Sequence, residues 1–215
     1  MLAQTNRVLH NFSLIKYTLP PMHLILGSQS LQRKEILGYY SIPFEQVPSF
    51  FDEDLVFFDG DPIKYAKTLA EGKASSLAPH FPQAVILTAD TVVYKDKTIF
   101  NKPANEAENF NMLKALNGSW HSVFTAITAQ KGKMHVTAYE ETRVQFHSVH
   151  DAHLKLYIQA FKGSDKAGGY SIQKGGSLII KRMEGCFYNA MGLPISALQA
   201  VLREVGIDLW QYLYT

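Results

Sequence analysis

The segment HLILGSQSLQRKEIL, residues 23–37, constrains the possible folds of this chain more than any other part of the sequence. It begins with a short apolar run and breaks at Gly27. A polar, basic stretch follows and ends in Ile36 and Leu37. An apolar run, a glycine and a helix-compatible stretch in this order predict a strand, a tight turn and a helix. A strand followed directly by a helix is typical of α/β folds.

The same segment has the composition of an anion-binding turn. The first backbone N–H groups of a helix have no partner within the helix, and the helix dipole adds partial positive charge there. Ser28 and Ser30 add hydroxyl donors, and Arg33 and Lys34 add charge within the first turn. Such a turn can bind phosphate groups. The alternative is a capped helix after a core strand, with solvated basic side chains, and the segment alone supports both interpretations equally.

The chain has the composition of a soluble globular protein. Its 215 residues are 47% hydrophobic and 19% charged, which is sufficient for one domain with a sizeable core. A net charge of +2 is too small to predict nucleic-acid binding. No apolar run approaches the roughly 20 residues that span a bilayer, so we expect no membrane association. The single cysteine, Cys186, excludes an intrachain disulfide and suits a reducing compartment, which predicts a cytoplasmic protein.

The first 21 residues differ in character from the rest of the chain. They contain no acidic residue and no compact apolar block, and Pro20 and Pro21 separate them from Met22. We predict that residues 1–21 are an N-terminal extension peripheral to function, and that residues 22–215 form a single α/β domain. Met22, directly before the first strand, is a possible alternative translation start.

The remaining sequence alternates between helical and strand patterns. Predicted helices begin at capping residues or prolines and end near glycine or proline, and they cover residues 61–77, 105–117, 151–160 and 194–206. Predicted strands cover residues 44–47, 84–87, 92–94, 98–100, 122–129, 135–146 and 177–180. We therefore expect an α/β fold with a mixed, strongly bent sheet. Helices flank this sheet, and two lobes surround a central cleft.

Asp90 is the carboxylate that most suggests chemistry. It is predicted to lie just past the C-terminal end of a buried strand, where ligands bind in open α/β sheets. Thr91 beside it can hydrogen-bond a ligand or cap the turn. The alternative is a turn-forming aspartate without a functional role. His121 stands alone in a loop–strand junction, where a structural role is more frequent than a catalytic one.

Further charged residues complete a set that suits polyphosphate chemistry. Glu53 lies in an acidic loop, Lys73 on the apolar stripe of a helix, and Lys102 in a loop stiffened by proline. Their alternative interpretations are solvated surface for Glu53 and a snorkelling side chain for Lys73. Together with Asp90 and Arg33, they match what metal-assisted attack on a polyphosphate requires. Carboxylates hold a divalent ion and orient water, while cations neutralise phosphate charge.

Several motifs resemble those of the Maf family of nucleoside triphosphate pyrophosphatases, from Leu24 to about Gly206. The opening motif of the family is matched by LGSQSLQRKEIL at residues 26–37. In the expected order, the chain then contains LAEGKA, ADTVV, NKP, LNGSWHSVFT, DKAGGYSIQ and GLPI. The resemblance implies a Maf/ITPase-like fold and cleavage of a nucleoside triphosphate to the monophosphate and pyrophosphate. It also implies a divalent cation, Mg²⁺ or Mn²⁺.

The resemblance assigns roles to the candidate residues. Ser28 and Arg33, with Ser30 between them, fall on the phosphate-binding loop. Asp90 matches the residue that accepts a proton from the attacking water. The polar residues lining the catalytic cleft of the family are matched by Glu53, Lys73 and Lys102. Glu53 and Asp90 are the expected metal ligands.

The resemblance also concerns the choice of base. The positions of Gln32, Thr91 and Gln173 are associated with base selection in the family. In their local sequence contexts, Gln173 and Thr91 resemble the residues of the branch that favours dTTP and UTP. The branch that prefers 7-methyl-GTP has a different pattern at these positions. Gln32 stands where the family motif has arginine, and it fits neither branch well. Family members are often dimers, so a homodimer is expected.

Two other functions remain open at this stage. A phosphatase or a nucleotidyl transferase would use the same anion-binding loop and metal, but it would release different products. A nucleotide-binding regulator of cell division or septation would bind nucleotide without significant turnover.

Overall fold

The chain folds around one seven-stranded mixed sheet in the computed structural model, which describes residues 23–213. The strands are β1 (Leu24–Gly27), β2 (Phe44–Val47), β3 (Val85–Lys95), β4 (Thr98–Phe100), β5 (Trp120–Lys131), β6 (Met134–Phe146) and β7 (Ile180–Glu184). Their spatial order is β2-β1-β3-β5-β6-β7, and β4 pairs with β3. β1 runs parallel to β2 and β3, and the other strand pairs of the described residues are antiparallel.

The predictions for the N-terminal extension concern residues outside this range. The structure does not describe residues 1–22, so the peripheral role of residues 1–21 and the start at Met22 stay predictions. The extent of the single domain predicted for residues 22–215 also stays a prediction.

Six α-helices flank the sheet within residues 23–213: α1 (Leu31–Leu37), α2 (Pro62–Leu77), α3 (Glu106–Leu116), α4 (Asp151–Phe161), α5 (Phe187–Ala190) and α6 (Ile195–Glu204). Side chains cap the helices where the sequence predicts helix starts. Asp61 accepts hydrogen bonds from the N–H groups of Ile63 and Lys64, and Asn105 accepts one from Glu108. These caps satisfy backbone donors that have no partner within the helix, which explains why α2 and α3 begin at these residues.

The two largest hydrophobic clusters of the described residues form the cores of two lobes. In the first lobe, β1 and α6 pack together through residues such as Leu24 and Leu198. In the second lobe, Leu113 of α3 and Leu154 of α4 pack on Phe146 of β6. All five side chains are fully buried or nearly so. The predicted fold class, a mixed sheet flanked by helices with two lobes around a cleft, is confirmed.

β3 extends well beyond the strand beside it. β1 pairs with residues 85–87 of β3, and β4 pairs with residues 93–95. Between them, no described strand pairs with residues 88–92 on this side, whereas β5 pairs with residues 85–94 on the other side. The sheet therefore has a gap beside the middle of β3.

The prediction that a strand ends near residue 87 and that Asp90 follows it is wrong. β3 continues to Lys95, and Asp90 lies in its middle, paired with Ala126 of β5. The polar residues Thr88 and Asp90 interrupt the apolar run that indicates the strand. Pairing with a strand some forty residues further along the chain extends β3 through them, and local sequence does not reveal such pairing.

The last strand is also displaced from its predicted position at residues 177–180. β7 begins at Ile180, and residues 176–178 form a single 3₁₀ turn after Gly175, whose φ is +67°. Ile180 is the first residue that pairs with β6, through Phe146. The apolar run therefore predicts the presence of the strand but not its start. Among residues 23–213, no helix is long and apolar enough to cross a membrane.

Candidate active site

One cleft brings together the residues that the sequence marks as functional. It has a volume of about 680 Å³, which is the size of a typical small-molecule site. It lies at the gap beside β3, and its walls come from both lobes. The ten predicted site residues all line it: Ser28, Ser30, Gln32, Arg33, Glu53, Lys73, Asp90, Thr91, Lys102 and Gln173. The structure therefore brings into one place residues that are up to 145 positions apart, from Ser28 to Gln173.

Lys73 binds two carboxylates at the floor of the cleft. Its Nζ lies 2.5 Å from Oδ1 of Asp90 and 3.0 Å from Oε1 of Glu53. The Lys73 and Asp90 side chains are only 8% and 10% exposed, whereas that of Glu53 is 49% exposed. Lys73 and Asp90 thus form a buried ion pair, and the more exposed carboxylate of Glu53 also binds Lys73.

The packing of α2 on the sheet explains why Lys73 and Asp90 meet. Ala66 and Ala70 of α2 are buried in one cluster with Val92 of β3. Lys73 follows Ala70 by one helical turn and so lies on the same face of α2. Asp90 is two residues before Val92, and alternate residues of a strand share a face. Both side chains therefore point into the same α2–β3 interface.

The environment of Asp90 suits a proton acceptor. Burial raises the pKa of Asp90 above its usual value, while the positive charges of Lys73 and Arg33 and the hydrogen bond from Lys73 act in the opposite direction. The nearby charge of Glu53 adds to the increase. A carboxylate with a raised pKa is a stronger base than an exposed one, as general-base catalysis near neutral pH requires.

Arg33 connects three parts of the cleft. Its guanidinium donates to the Gly192 carbonyl (2.9 Å), to Oγ1 of Thr91 (3.0 Å) and to Oγ of Ser28 (3.3 Å). Burial lowers the pKa of Arg33, and the charges of Asp90 and Glu53 counteract this change. The three hydrogen bonds fix the position of the guanidinium in the cleft. Thr91, predicted to select the base, therefore orients Arg33 in this structure.

Gln46 holds the turn between β1 and α1, and the sequence analysis did not identify it. Its Nε2 donates to the carbonyls of Ser28 (2.8 Å) and Ser30 (3.2 Å). The Ser28 hydroxyl accepts from the Ser30 N–H at 3.1 Å, and the Ser30 hydroxyl accepts from the Arg33 N–H at 3.3 Å. Gln46 reaches this turn because β2 lies beside β1, with Gln46 opposite Leu26. The parallel pairing of these two strands is the signal that would have identified it.

Two further lysines line the cleft. Lys102 is exposed, and Lys166 has its Nζ 2.5 Å from Oδ1 of Asp165. Lys166 lies in the DKAGGYSIQ motif, a loop of short turns at residues 165–173, and it is not among the site residues predicted from the sequence. Gln173, at the end of the same loop, reaches across to Glu35 of α1 at 3.4 Å.

A family model described as Maf-like protein matches residues 23–205, which is most of the chain. The chain belongs to the Maf family. The matched region contains all ten cleft residues, so this cleft is built entirely from the part of the chain that the Maf family defines.

Curated relatives agree with this assignment to the Maf family. A protein of Chlamydia felis named dTTP/UTP pyrophosphatase is 46% identical over 191 residues, which are 88% of this chain and 97% of the relative. A Chlamydia trachomatis protein with the same name is 44% identical with the same coverage. A Chlamydia pneumoniae protein named nucleoside triphosphate pyrophosphatase is 41% identical over 192 residues, with 88% and 97% coverage.

The similarity to solved structures is weaker. The Staphylococcus aureus Ham1 protein superposes with a TM-score of 0.48 and 14% identity, over 85% of this chain and 99% of that chain. A similarity at this level carries no argument about the Maf chain.

The Maf cleft offers two carboxylates to a divalent cation. Glu53 and Asp90 converge on Lys73 from two different elements. Within residues 23–213, no group of three or more His, Cys, Asp or Glu side chains has the arrangement of a metal site. Mg²⁺ characteristically binds through one or two carboxylates and completes its shell with substrate phosphates and water. The donor set fits such a shared site, in which the substrate supplies the other oxygens.

His121 lies in the second lobe rather than on the cleft wall. It is 3% exposed, and its Nε2 lies 2.8 Å from the hydroxyl of Tyr170, which does line the cleft. Burial lowers the pKa of His121 to about 4. This neutral, buried position favours the structural interpretation of His121, as a support for the loop that carries Tyr170.

Proposed function

We propose that this Maf protein hydrolyses nucleoside triphosphates to the monophosphate and pyrophosphate. The observation that carries the proposal is the buried Lys73–Asp90 pair, with Glu53 beside it, in a cleft that also holds Arg33 and Lys102. The names of the Chlamydia relatives support the same reaction and make dTTP and UTP the leading substrates.

In the reaction we propose, water attacks the α-phosphorus and Asp90 accepts its proton. The bond from the α-phosphorus to the bridging oxygen breaks, and pyrophosphate leaves with the bonding electron pair. Lys73 holds the Asp90 carboxylate in place by its 2.5 Å contact. Because this contact is buried, water does not compete for it, and the geometry is preorganised before the substrate binds.

A divalent cation, Mg²⁺ or Mn²⁺, is part of this proposal. Glu53 and Asp90 would hold it together with substrate oxygens, and it would supply positive charge where the phosphates carry negative charge. Removal of the cation with EDTA is expected to abolish pyrophosphate release, and added Mg²⁺ or Mn²⁺ is expected to restore it.

The remaining cations would bind the triphosphate chain. Arg33 of α1, Lys102 and Lys166 line the same cleft as Asp90. Phosphate oxygens bound there would be neutralised by these cations. We assign the base to the end of the cleft near Gln32 and Gln173. Thr91 would influence selection indirectly, because its hydroxyl binds Arg33.

The test is a product assay with a panel of canonical and modified nucleoside triphosphates in the presence of Mg²⁺ or Mn²⁺. We expect equal amounts of pyrophosphate and monophosphate, with dTTP and UTP the best substrates. The matched variant Asp90→Asn keeps the size of the side chain and is expected to bind nucleotide without turnover. Release of inorganic phosphate alone would instead indicate a phosphatase. Nucleotide binding by the wild type without turnover would indicate a regulator of the kind linked to cell division.

We also propose a cytoplasmic homodimer that binds no nucleic acid. The single cysteine, Cys186, and the small net charge of +2 support the location and the absence of nucleic-acid binding. Sedimentation equilibrium would give the oligomeric state directly, and a mass equal to one chain at all concentrations would contradict the dimer.

A further inference from the structure

The acidic segment that carries Glu53 is attached along the length of α2. We call residues 49–58 the acidic loop. At one end, the backbone N–H of Phe50 donates to Oγ of Ser76 at 3.2 Å. At the other end, the rings of Phe58 and Tyr65 meet edge to face, with centroids 5.7 Å apart. The acidic loop therefore runs antiparallel to α2, from its last turn to its first.

Between these two ends, the ring of Phe51 lies directly on Gly72 of α2. A Cβ atom added to Gly72 would stand 2.5 Å from two carbon atoms of this ring. Alanine is the better residue for a helix interior, and Gly72 has no left-handed backbone angle that would require glycine. The close approach of the Phe51 ring is what requires a glycine at this position.

Glu53 depends on this attachment for its position. Its side chain is 49% exposed, so burial does not restrict its rotamers. It opens a short 3₁₀ turn, Glu53–Leu55, which Asp52 caps by accepting a hydrogen bond from the Asp54 N–H at 3.1 Å. The cap holds the turn together, and we infer that the distance of Glu53 from Lys73 is set by the point where the loop meets the helix. Gly72 is the residue immediately before Lys73.

We propose that Phe51 is a positioning residue whose ring, seated on Gly72, places Glu53 on Lys73 and over the active site. The proposal rests on the proposed function, because Glu53 matters for catalysis only if this cleft is the active site. Phe51 also lines the cleft, and the proposal predicts that it acts through Glu53 rather than through its own contact with the substrate.

The first test compares Phe51→Ala with the matched control Phe57→Ala, which removes a ring that is 89% exposed on the same loop. We expect Phe51→Ala to lower kcat for dTTP hydrolysis roughly 10-fold to 100-fold, with a smaller change in KM, because misplacement by about 1 Å can have an effect of this size. Phe57→Ala is expected to keep the wild-type kcat. In a Glu53→Gln background, Phe51→Ala should have no further effect. A wild-type kcat for Phe51→Ala, or an undiminished effect in the Glu53→Gln background, overturns the proposal.

The second test changes the sizes of the two contacting residues in opposite directions. It does not require the Phe51→Ala variant to fold. Gly72→Ala alone should displace the ring and lower kcat, and Gly72→Ala combined with Phe51→Leu should recover most of the lost kcat.

Hydrogen–deuterium exchange of peptides covering residues 49–58 gives a readout independent of activity. Exchange should be faster in Gly72→Ala and Phe51→Ala, and unchanged in Phe57→Ala. Equal exchange in Gly72→Ala and wild type overturns the proposal. A wild-type protein that releases no pyrophosphate would contradict the proposed function, whereas an active wild type with unaffected Phe51 variants contradicts this inference alone.

Discussion

Lys73 Nζ lies 2.5 Å from Oδ1 of Asp90, and both side chains are at least nine-tenths removed from solvent. Two opposite charges in this position hold each other in one geometry. The pair therefore fixes the geometry of the active site. Removal of one partner should also destabilise the fold, because it leaves the other charge buried and unpaired.

Lys73→Met is expected to lower the free energy of unfolding by about 3 kcal/mol, because it leaves a buried carboxylate without its partner. Urea denaturation at neutral pH measures this change. The double variant Lys73→Met, Asp90→Leu should recover most of the loss, since apolar side chains of similar volume often replace a buried pair without penalty. The control is Lys64→Met, which breaks the exposed Lys64–Asp59 pair and is expected to have little effect. Equal losses in Lys73→Met and Lys64→Met would contradict the prediction.

The pH dependence of kcat/KM should report the ionisation of Asp90. A proton acceptor must be deprotonated, so activity falls as the pH drops through its pKa. The ordinary pKa of an aspartate is about 4. Because burial raises the pKa of Asp90, this fall in activity should occur at a pH above that value. Arg33→Gln removes a charge that lowers the pKa of Asp90, so the fall should move to still higher pH. Lys102→Gln serves as the comparison, and an equal movement in both variants would argue against this assignment.

Arg33→Ala is expected to weaken the binding of a triphosphate more than the binding of the corresponding monophosphate. The guanidinium binds Ser28 and Thr91 in the cleft, and the proposed function assigns its charge to the phosphates rather than to the base. Calorimetric titration of Asp90→Asn, with and without Arg33→Ala, measures both affinities without turnover. Lys34→Ala is the matched control, since Lys34 is exposed next to Arg33 and does not line the cleft. Equal losses for the two ligands would rule out a phosphate role.

Gln46→Leu should raise KM for the nucleotide roughly 10-fold, with stability less affected. The substitution removes the donor that binds the carbonyls of Ser28 and Ser30, and the unsatisfied carbonyls would disturb the turn. Steady-state kinetics with dTTP give the effect. Gln159→Leu, at an exposed position on α4, should behave as wild type. An unchanged KM in Gln46→Leu would show that the turn keeps its shape without this side chain.

His121 should make the stability of the protein sensitive to acid. Its pKa is lowered to about 4 in the folded state, whereas it is about 6.5 in an unfolded chain. The unfolded state therefore binds a proton first, and stability is full above pH 6.5 and declines as the pH falls towards 4. The difference corresponds to about 3 kcal/mol at the lower end. In urea titrations over this range, His121→Gln should reduce the dependence on pH, whereas His135→Gln, at an exposed position, should not. The same slope in wild type and His121→Gln would refute the prediction.

Features encoded within a few residues of sequence were predictable. The starts of α2 and α3 follow from Asp61 and Asn105, whose side chains cap the next turn. The antiparallel pairing of β5 with β6 follows from two long alternating segments joined by a short turn. The ten site residues came from the motifs of the family resemblance together with their chemistry, and the cleft contains all of them.

Features that depend on which segments become neighbours were not predictable. Gln46 was missed because its function depends on the pairing of β2 with β1. The middle position of Asp90 in β3 depends on pairing with β5, which stabilises polar residues in a strand that periodicity alone would end. The position of Thr91 was associated with base selection, and the approach of Arg33 from α1, which gives its hydroxyl a protein partner, could not be read from the sequence. In each case, a long-range contact determines what a side chain does.

The gap beside β3 has a further consequence for how this site can change. The cleft exists because β1 ends at Gly27, while β3 continues for eight residues beyond Leu87, its last residue paired with β1. A ligand in the cleft occupies the place where a longer neighbouring strand would lie, next to the uncovered edge formed by residues 88–92. The depth of the cavity is therefore governed by where one short strand stops. Insertion of two or three residues after Leu26 would extend β1 along this edge and close the cavity while leaving Lys73, Asp90 and Glu53 in the sequence.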